Sequence, residues 1–227
     1  MAPSVTQAIE IAEQDRPEAP LRASGWQQRK SAEMRSLVLE SAIDCLVEDG
    51  YVGFSVQSIA KRAGVSRGAL LHHFPTKADL VSAVVEYTFQ IRMQTFLAEF
   101  RARGNDRVDT AAAMHWDSVQ TREFAAYLEL VVASRTDEEL RGYLLPESRR
   151  YDGLWSDEMA KAFPQWDGNA RMLQLSGDFV AVAHLGLLLQ PDWDAERVKA
   201  VLGLVEATVA LLHRAHKDSV DQGGQGT

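Results

Sequence analysis

The chain has 227 residues, 46% of them apolar, which is enough to bury one large core or two smaller ones. The net charge of −8 argues, taken alone, against a nucleic-acid partner, and the single cysteine excludes a disulfide framework or a multi-cysteine zinc site. Helix formers dominate and Gly and Pro are sparse within the chain, so an all-α fold is expected.

The opening residues lack the basic start and apolar run of a signal peptide. No apolar stretch reaches the ~20 residues of a membrane span. Residues 172–189 come closest, and they contain Asp178 and His184. The expectation is a cytoplasmic protein with no membrane partner. Residues 1–25 mix Pro, Ala, Glu and Gln without a lasting period and read as a disordered or loosely helical arm.

The first helix is expected over 27–49, with Met34, Val38, Ala42, Cys45 and Leu46 on one apolar face and Gly50 as its stop. Cys45 reads as a small buried hydrophobe. A loop over 51–54 leads to Ser55, the cap of a second helix over 56–63 in which Ile59, Ala60 and Ala63 face inward. Gly64 permits a tight turn, and Ser66 caps a third helix that ends near His73, before Pro75. A fourth helix follows over 76–103, started by Thr76 and Asp79 and carrying Leu80, Val84, Thr88, Ile91, Phe96 and Phe100. Further helices are expected over 107–118, 122–134, 137–145, 147–162, 169–190 and 194–217, with residues 218–227 a disordered tail.

Residues 55–74, S-V-Q-S-I-A-K-R-A-G-V-S-R-G-A-L-L-H-H-F, form two short helices joined by a Gly-containing turn, a helix-turn-helix. Ala60 and Val65 let the helices cross closely. Ser66 leaves the amino end of the third helix open to phosphate or base edges, and Gly68 strips bulk where that helix would enter the major groove. Charge distribution softens the objection from the net charge. Residues 26–80 hold seven basic and six acidic side chains, and residues 81–227 hold 15 basic and 22 acidic ones.

Residues 38–80 resemble the DNA-binding domain of the TetR family of transcriptional regulators. The resemblance rests on Val38, Leu39 and Ala42; Glu48-Asp49-Gly50-Tyr51; Ile59-Ala60; Ala63-Gly64-Val65-Ser66; Gly68-Ala69-Leu70; His73-Phe74; and Lys77 with Leu80. It implies a three-helix DNA-binding domain over 26–80 and an effector-binding, dimerising helical domain over 81–217. It also implies that Ser55, Gln57, Ser66, Arg67, Ala69, His72, His73 and Lys77 face double-stranded operator DNA, with Gly68 beside them. Arg67 and Lys77 are the natural phosphate partners, and Gln57 and Ala69 are better placed for base edges. Leu71 stands where the family usually has tyrosine, so it packs against sugar or a thymine methyl rather than donating a hydrogen bond.

The last two helices are apolar almost all round, and the seam Val198, Val201, Val205, Thr208 and Leu212 fits a homodimer interface. Gly177, Ala181 and Gly186 would allow close helix approach. The aromatics Trp116, Phe124, Tyr127, Trp155 and Phe179 are candidate walls of a cavity for a small-molecule effector, with Glu129, Arg135 or Asp178 as polar selector. His213 and His216 have metal-compatible spacing but read as a solvated helix end, and His115 and His184 as structural histidines. No phosphate-cradling glycine loop, nucleophile elbow or paired metal motif is present, so no catalytic residue, cofactor or metal is expected. The expected function is a ligand-responsive DNA-binding regulator, a repressor released from its operator by a small molecule. The alternative is an all-helical binding protein or enzyme with a non-functional helix-turn-helix.

Overall fold

A computed structural model describes residues 20–103, 108–166 and 168–223. Nine α-helices follow one another among the described residues, with no strand. They are α1 (Pro20–Gly53), α2 (Val56–Ala63), α3 (Arg67–His73), α4 (Lys77–Arg103), α5 (Val108–Val119), α6 (Arg122–Ala133), α7 (Glu138–Ala162), α8 (Ala170–Leu188) and α9 (Ala195–Gly223), with a 3₁₀ turn at Pro164–Trp166. Residues 1–19 of the arm expected over 1–25, and residues 224–227 of the expected tail, lie outside the described residues.

Caps set the short helices where the sequence places them. Ser55 Oγ accepts from the Ser58 N–H at 3.1 Å, and Ser66 Oγ accepts from the Ala69 N–H at 3.1 Å. Each such cap contributes about 1 kcal/mol. Gly64 has φ +66°, and the Val65 N–H reaches back to the Ala60 carbonyl at 3.0 Å, which closes α2 and turns the chain into α3. Thr76 and Asp79 cap α4 reciprocally. The Thr76 N–H donates to Asp79 Oδ2 at 3.0 Å and the Asp79 N–H donates to Thr76 Oγ1 at 3.1 Å.

Four expected boundaries differ. Gly50 breaks the helical path as expected, at φ +65° and ψ −175°, but beyond this kink Tyr51–Gly53 are helical where a loop was expected. The helix also begins at Pro20, ahead of the expected residue 27, and α9 continues to Gly223, past residue 217. The helices expected over 137–145 and 147–162 are one helix with Pro146 inside it. An interior proline costs about 3 kcal/mol. Leu140, Leu144 and Tyr151 flank it and are all buried, and burying each such side chain contributes about 1.5–3 kcal/mol, which carries the helix across.

Two buried clusters organise the molecule. One joins Val38, Ala42, Ile43, Cys45 and Leu46 of α1, Ile59 and Leu70 of the helix-turn-helix, Leu80 and Val84 of α4, and Ala126, Leu130, Leu140 and Leu144 of α6 and α7. The helix-turn-helix therefore shares a continuous core with the helices that follow it. The second cluster holds Phe96, Phe100, Met114, Phe163, Trp166, Val180, Val205 and Val209 at the far end of α4. Polar ties reinforce the first junction. Arg122 at the start of α6 reaches Glu40 at 2.8 Å and Asp44 at 2.6 Å on α1, and the Tyr87 hydroxyl of α4 donates to Glu40 at 2.6 Å.

Candidate functional site

The helix-turn-helix presents one open face. Ser55, Gln57, Ser66, Arg67, Gly68, His72 and Lys77 are exposed, and Ala69, Leu71 and His73 are half-buried beside them, while Leu70 and Phe74 point into the core. Gln57, Lys61 and Arg67 border a shallow hollow of about 410 Å³ between α2 and α3. Lys61 was not among the expected contacts. Its signal was its place one helical turn after Gln57, on the same exposed face.

The other cations around this face are engaged. Arg62 pairs with Glu48 at 2.7 Å and Asp49 at 3.2 Å, and the bond to Glu48 holds its guanidinium well above its ordinary pKa. Lys77 Nζ sits 4.2 Å from the centre of the Tyr51 ring, and the Arg35 guanidinium lies 4.6 Å from that of Phe74. Burial and the nearby Asp137 push the Tyr51 phenol up to about 12. Lys77 thus anchors the start of α4 to the bend in α1, besides its exposed position toward the open face.

A cavity of about 1090 Å³ lies between α4, α5, α6, α7, α8 and α9. Of the expected aromatic wall, Phe124, Tyr127 and Trp155 line it. Trp116 does not. It packs edge-on against the buried His184, 5.4 Å between ring centres. Phe179 does not either, and its side chain is 43% exposed. Of the expected selectors, Asp178 lines the cavity, whereas Glu129 and Arg135 do not. Glu129 lies beside Gly50 instead.

The cavity's polar residues were largely missed. Arg92 lies on the wall, its guanidinium 4.5 Å from the Phe124 ring centre and its Nε 3.4 Å from Ser118 Oγ. Burial pulls its pKa down to about 10, leaving it charged at neutral pH. His115 opposes His184 with 3.0 Å between their Nδ1 atoms, so one ring donates and the other accepts. Burial, then His184 and Arg92, push His115 down to about 3, so it is uncharged at neutral pH. Asp152 is raised by desolvation and by the charge of Asp178, and both are exposed at the rim. The signal for Arg92 was in the sequence: Thr88, Arg92 and Phe96 recur at four-residue steps, which places a charge on an apolar stripe.

Two further expectations change. His213 and His216 are no solvated end. His213 Nδ1 accepts from Trp166 Nε1 at 3.0 Å, and His216 stacks on Trp166 with ring centres 4.4 Å apart. Among the described residues, no group of three or more His, Cys, Asp or Glu is placed to hold a metal ion. In the seam read as the dimer interface, Val205 is 3% exposed and faces the chain's own core, while Leu204 and Leu211 of α9 are exposed. No helix among the described residues is long and apolar enough to cross a membrane.

The sequence profile of bacterial regulatory proteins of the tetR family matches residues 38–84. The HTH-type transcriptional regulator Rv2912c of Mycobacterium tuberculosis, itself uncharacterised, is 30% identical over 189 residues, covering 80% of this chain and 97% of that protein. The HTH-type transcriptional repressor AcnR of Corynebacterium diphtheriae is 28% identical over 185 residues, covering 77% of this chain and 90% of that protein. Among solved structures, a TetR-family transcriptional regulator from Rhodococcus sp. superposes with a TM-score of 0.62 at 18% identity, over 80% of this chain and 98% of that one. A transcriptional regulator from Saccharomonospora viridis in complex with choline does so with a TM-score of 0.57 at 15% identity, over 78% and 96%. The chain belongs to the TetR family of bacterial regulatory proteins and is a DNA-binding transcriptional regulator of the helix-turn-helix type.

Proposed function

We propose that the chain is a homodimeric repressor, acting in the cytoplasm, that occupies an operator through α3 and leaves it when a small molecule fills the central cavity. The observation that carries this reading is the state of α3. Arg67 and Gly68 stand exposed at its amino end, Ser66 Oγ caps only the Ala69 N–H, and Leu70 pins the opposite side in the core. Such a helix can enter a major groove with little rearrangement, with Arg67 and Lys61 on phosphates and Gln57 and Ala69 toward base edges.

The exposed apolar side chains support the dimer. Leu175, Phe179 and Val182 of α8 and Leu204 and Leu211 of α9 are between 43% and 71% exposed. A Cβ added at Gly177, Gly186 or Gly203 would meet nothing within 4 Å, so there is room for a second helix to approach closely. A twofold partner would set two recognition helices about 34–36 Å apart, the spacing of successive major grooves.

Release follows from α4. At 1.5 Å per residue its 27 residues span about 40 Å, from Lys77 beside the recognition helix to Phe96 and Phe100 in the second cluster. Arg92 and Phe89 of α4 line the cavity, so a ligand there bears on the same helix that positions the DNA face. Such a ligand acts only through a difference in affinity between the two positions of α4. The S. viridis regulator, similar in fold, holds choline, which supports room for a small organic molecule in this architecture. AcnR, by its name a repressor, supports repression over activation.

A gel-shift titration on the DNA upstream of the chain's own gene and its neighbours tests the reading. The expected result is a retarded dimer complex whose affinity falls steeply with salt. Failure to retard any such fragment at low salt would remove the repressor reading.

A further inference from the structure

We infer that the effector is an organic anion, a monocarboxylate with an apolar body, whose carboxylate is held by Arg92 inside the cavity. This rests on the effector-cavity reading above and deepens it. Arg92 is the cation of the inner wall and has no carboxylate of the described residues within 4 Å. Glu123 acts on it only at longer range. Its one polar contact is the long bond from Nε to Ser118, a neutral hydroxyl.

An arginine in an apolar enclosure without a counter-ion is unfavourable, and folding alone offers no reason to keep it there. Phe124 lies 4.5 Å from the guanidinium carbon, and the N–H groups of Nη1 and Nη2, which bond to no described residue, are available to a bidentate acceptor. The groups nearest that end add no negative charge. His115 is uncharged at neutral pH, and the Tyr127 hydroxyl donates to Ser148 at 3.1 Å.

The apolar body has its own place. Phe89, Phe96 and Trp155 line the remainder of the cavity, and its volume of about 1090 Å³ suits a molecule larger than the carboxylate alone. Among the acidic lining side chains, Asp157 and Asp178 are exposed at the rim, where water screens them, and Asp152 beside them is raised by desolvation and by the charge of Asp178. A cationic ligand would meet Arg92 at the inner end as a like charge.

The test uses the full chain and matched sets of straight-chain and phenylalkyl compounds of about six to twelve carbons, each as acid, amide and amine. Thermal shift finds the binders, calorimetry measures them, and gel shift reads operator release. The acids should bind at least about tenfold more tightly than their amides and amines and should alone release DNA. Arg92→Gln should bring an acid down to the affinity of its amide and leave the amide unchanged, which also certifies that the variant is folded. Arg92→Lys, keeping charge without the planar fork, should fall between. Amides or amines that match the acids, or Arg92→Gln with full acid affinity, would overturn the anion while the cavity reading stands. Compounds that neither shift melting nor release DNA in any set would end both.

Discussion

In the helix-turn-helix, Arg62 lies exposed between Glu48 and Asp49, at 2.7 and 3.2 Å; in the cavity, Arg92 lies against Phe124 with only a serine hydroxyl to bond. The first arrangement is a local solution. Two carboxylates of α1 offset the one cation of α2 in water, and these contacts steady α2 against α1 at little gain or cost. The second has no local solution, because Arg92 is half-buried on a largely apolar wall whose described residues supply no carboxylate within 4 Å. A charge that the fold leaves unbalanced marks a place where something else binds. The same contrast separates Lys77, resting on Tyr51, from Lys61 and Arg67, which are exposed on the face proposed to meet DNA.

The largest effects should come from changes that break one region and spare the other. Gly68→Tyr puts a ring on the exposed side of α3, where a new Cβ meets only Ser66 Oγ at 4.0 Å. Folding should be unchanged or better by about 0.5 kcal/mol, since tyrosine has a higher helix propensity than glycine. Operator affinity should fall by about a hundredfold, about 2.7 kcal/mol, with ligand binding in the cavity intact. Melting curves, gel shift and calorimetry on one preparation decide it, and undiminished operator affinity would take α3 out of the groove. Next comes the paired change Phe179→Asp and Leu204→Asp, both on exposed apolar surface. Light scattering should find monomers, with operator affinity lowered about tenfold or more, as loss of an interface anchor costs 2 kcal/mol or above. A dimer that survives would place the interface elsewhere.

Those two regions also differ in how far the sequence discloses them. The caps Ser55, Ser66 and Thr76, the left-handed Gly64 and the inward Ile59, Ala60 and Ala63 were legible because each acts within a few residues of itself. The cavity was not, because it exists only where six helices meet, Val209 of α9 included. Trp116 and Phe179 share their aromatic character with Phe124 and Trp155, and only packing sends the first pair away from the cavity. Pro146 misled for the same reason: its local penalty is real, and the burial that outweighs it comes from distant residues. Val205 belongs to a period that fits a seam, and period alone does not say whose core the seam meets.

Arg92→Met sharpens the contrast between the two arginines. Replacing an enclosed, unpaired guanidinium with an apolar side chain of similar length should raise the stability of the ligand-free protein by about 1 kcal/mol. Denaturant titration reads this directly, and a clear loss of stability would mean that Arg92 serves the fold. Arg122→Ala should matter less for stability. It removes two partly exposed pairs, to Glu40 and Asp44, each contributing about 0.2–1 kcal/mol. Its distinctive effect should be on communication, because Arg122 ties α1 to the helix that carries the cavity residues Phe124 and Tyr127. Ligand affinity should hold while ligand-driven release of DNA weakens. If release is unchanged, the response travels along α4 alone.

The smallest expected gain is at Leu71, where the family usually has tyrosine. Leu71 is half-buried on α3, one residue after the fully buried Leu70 and one before the exposed His72. A ring there can keep its lower edge on the same apolar neighbours and carry a hydroxyl outward. If α3 lies in the groove, that hydroxyl can donate to a phosphate, a bond to a charged acceptor worth at most about 1.5–3 kcal/mol. The contact forms at the wet margin of an interface and displaces water and leucine packing, so only a fraction of that should survive. Leu71→Tyr should tighten operator binding by roughly threefold, about 0.65 kcal/mol, equally on all operator sequences. Because the phenol is neutral, it displaces no counterion, and the salt slope should not change. A gain confined to one operator sequence would mean that position 71 reads a base, and a loss on every sequence would mean that leucine itself packs against the duplex.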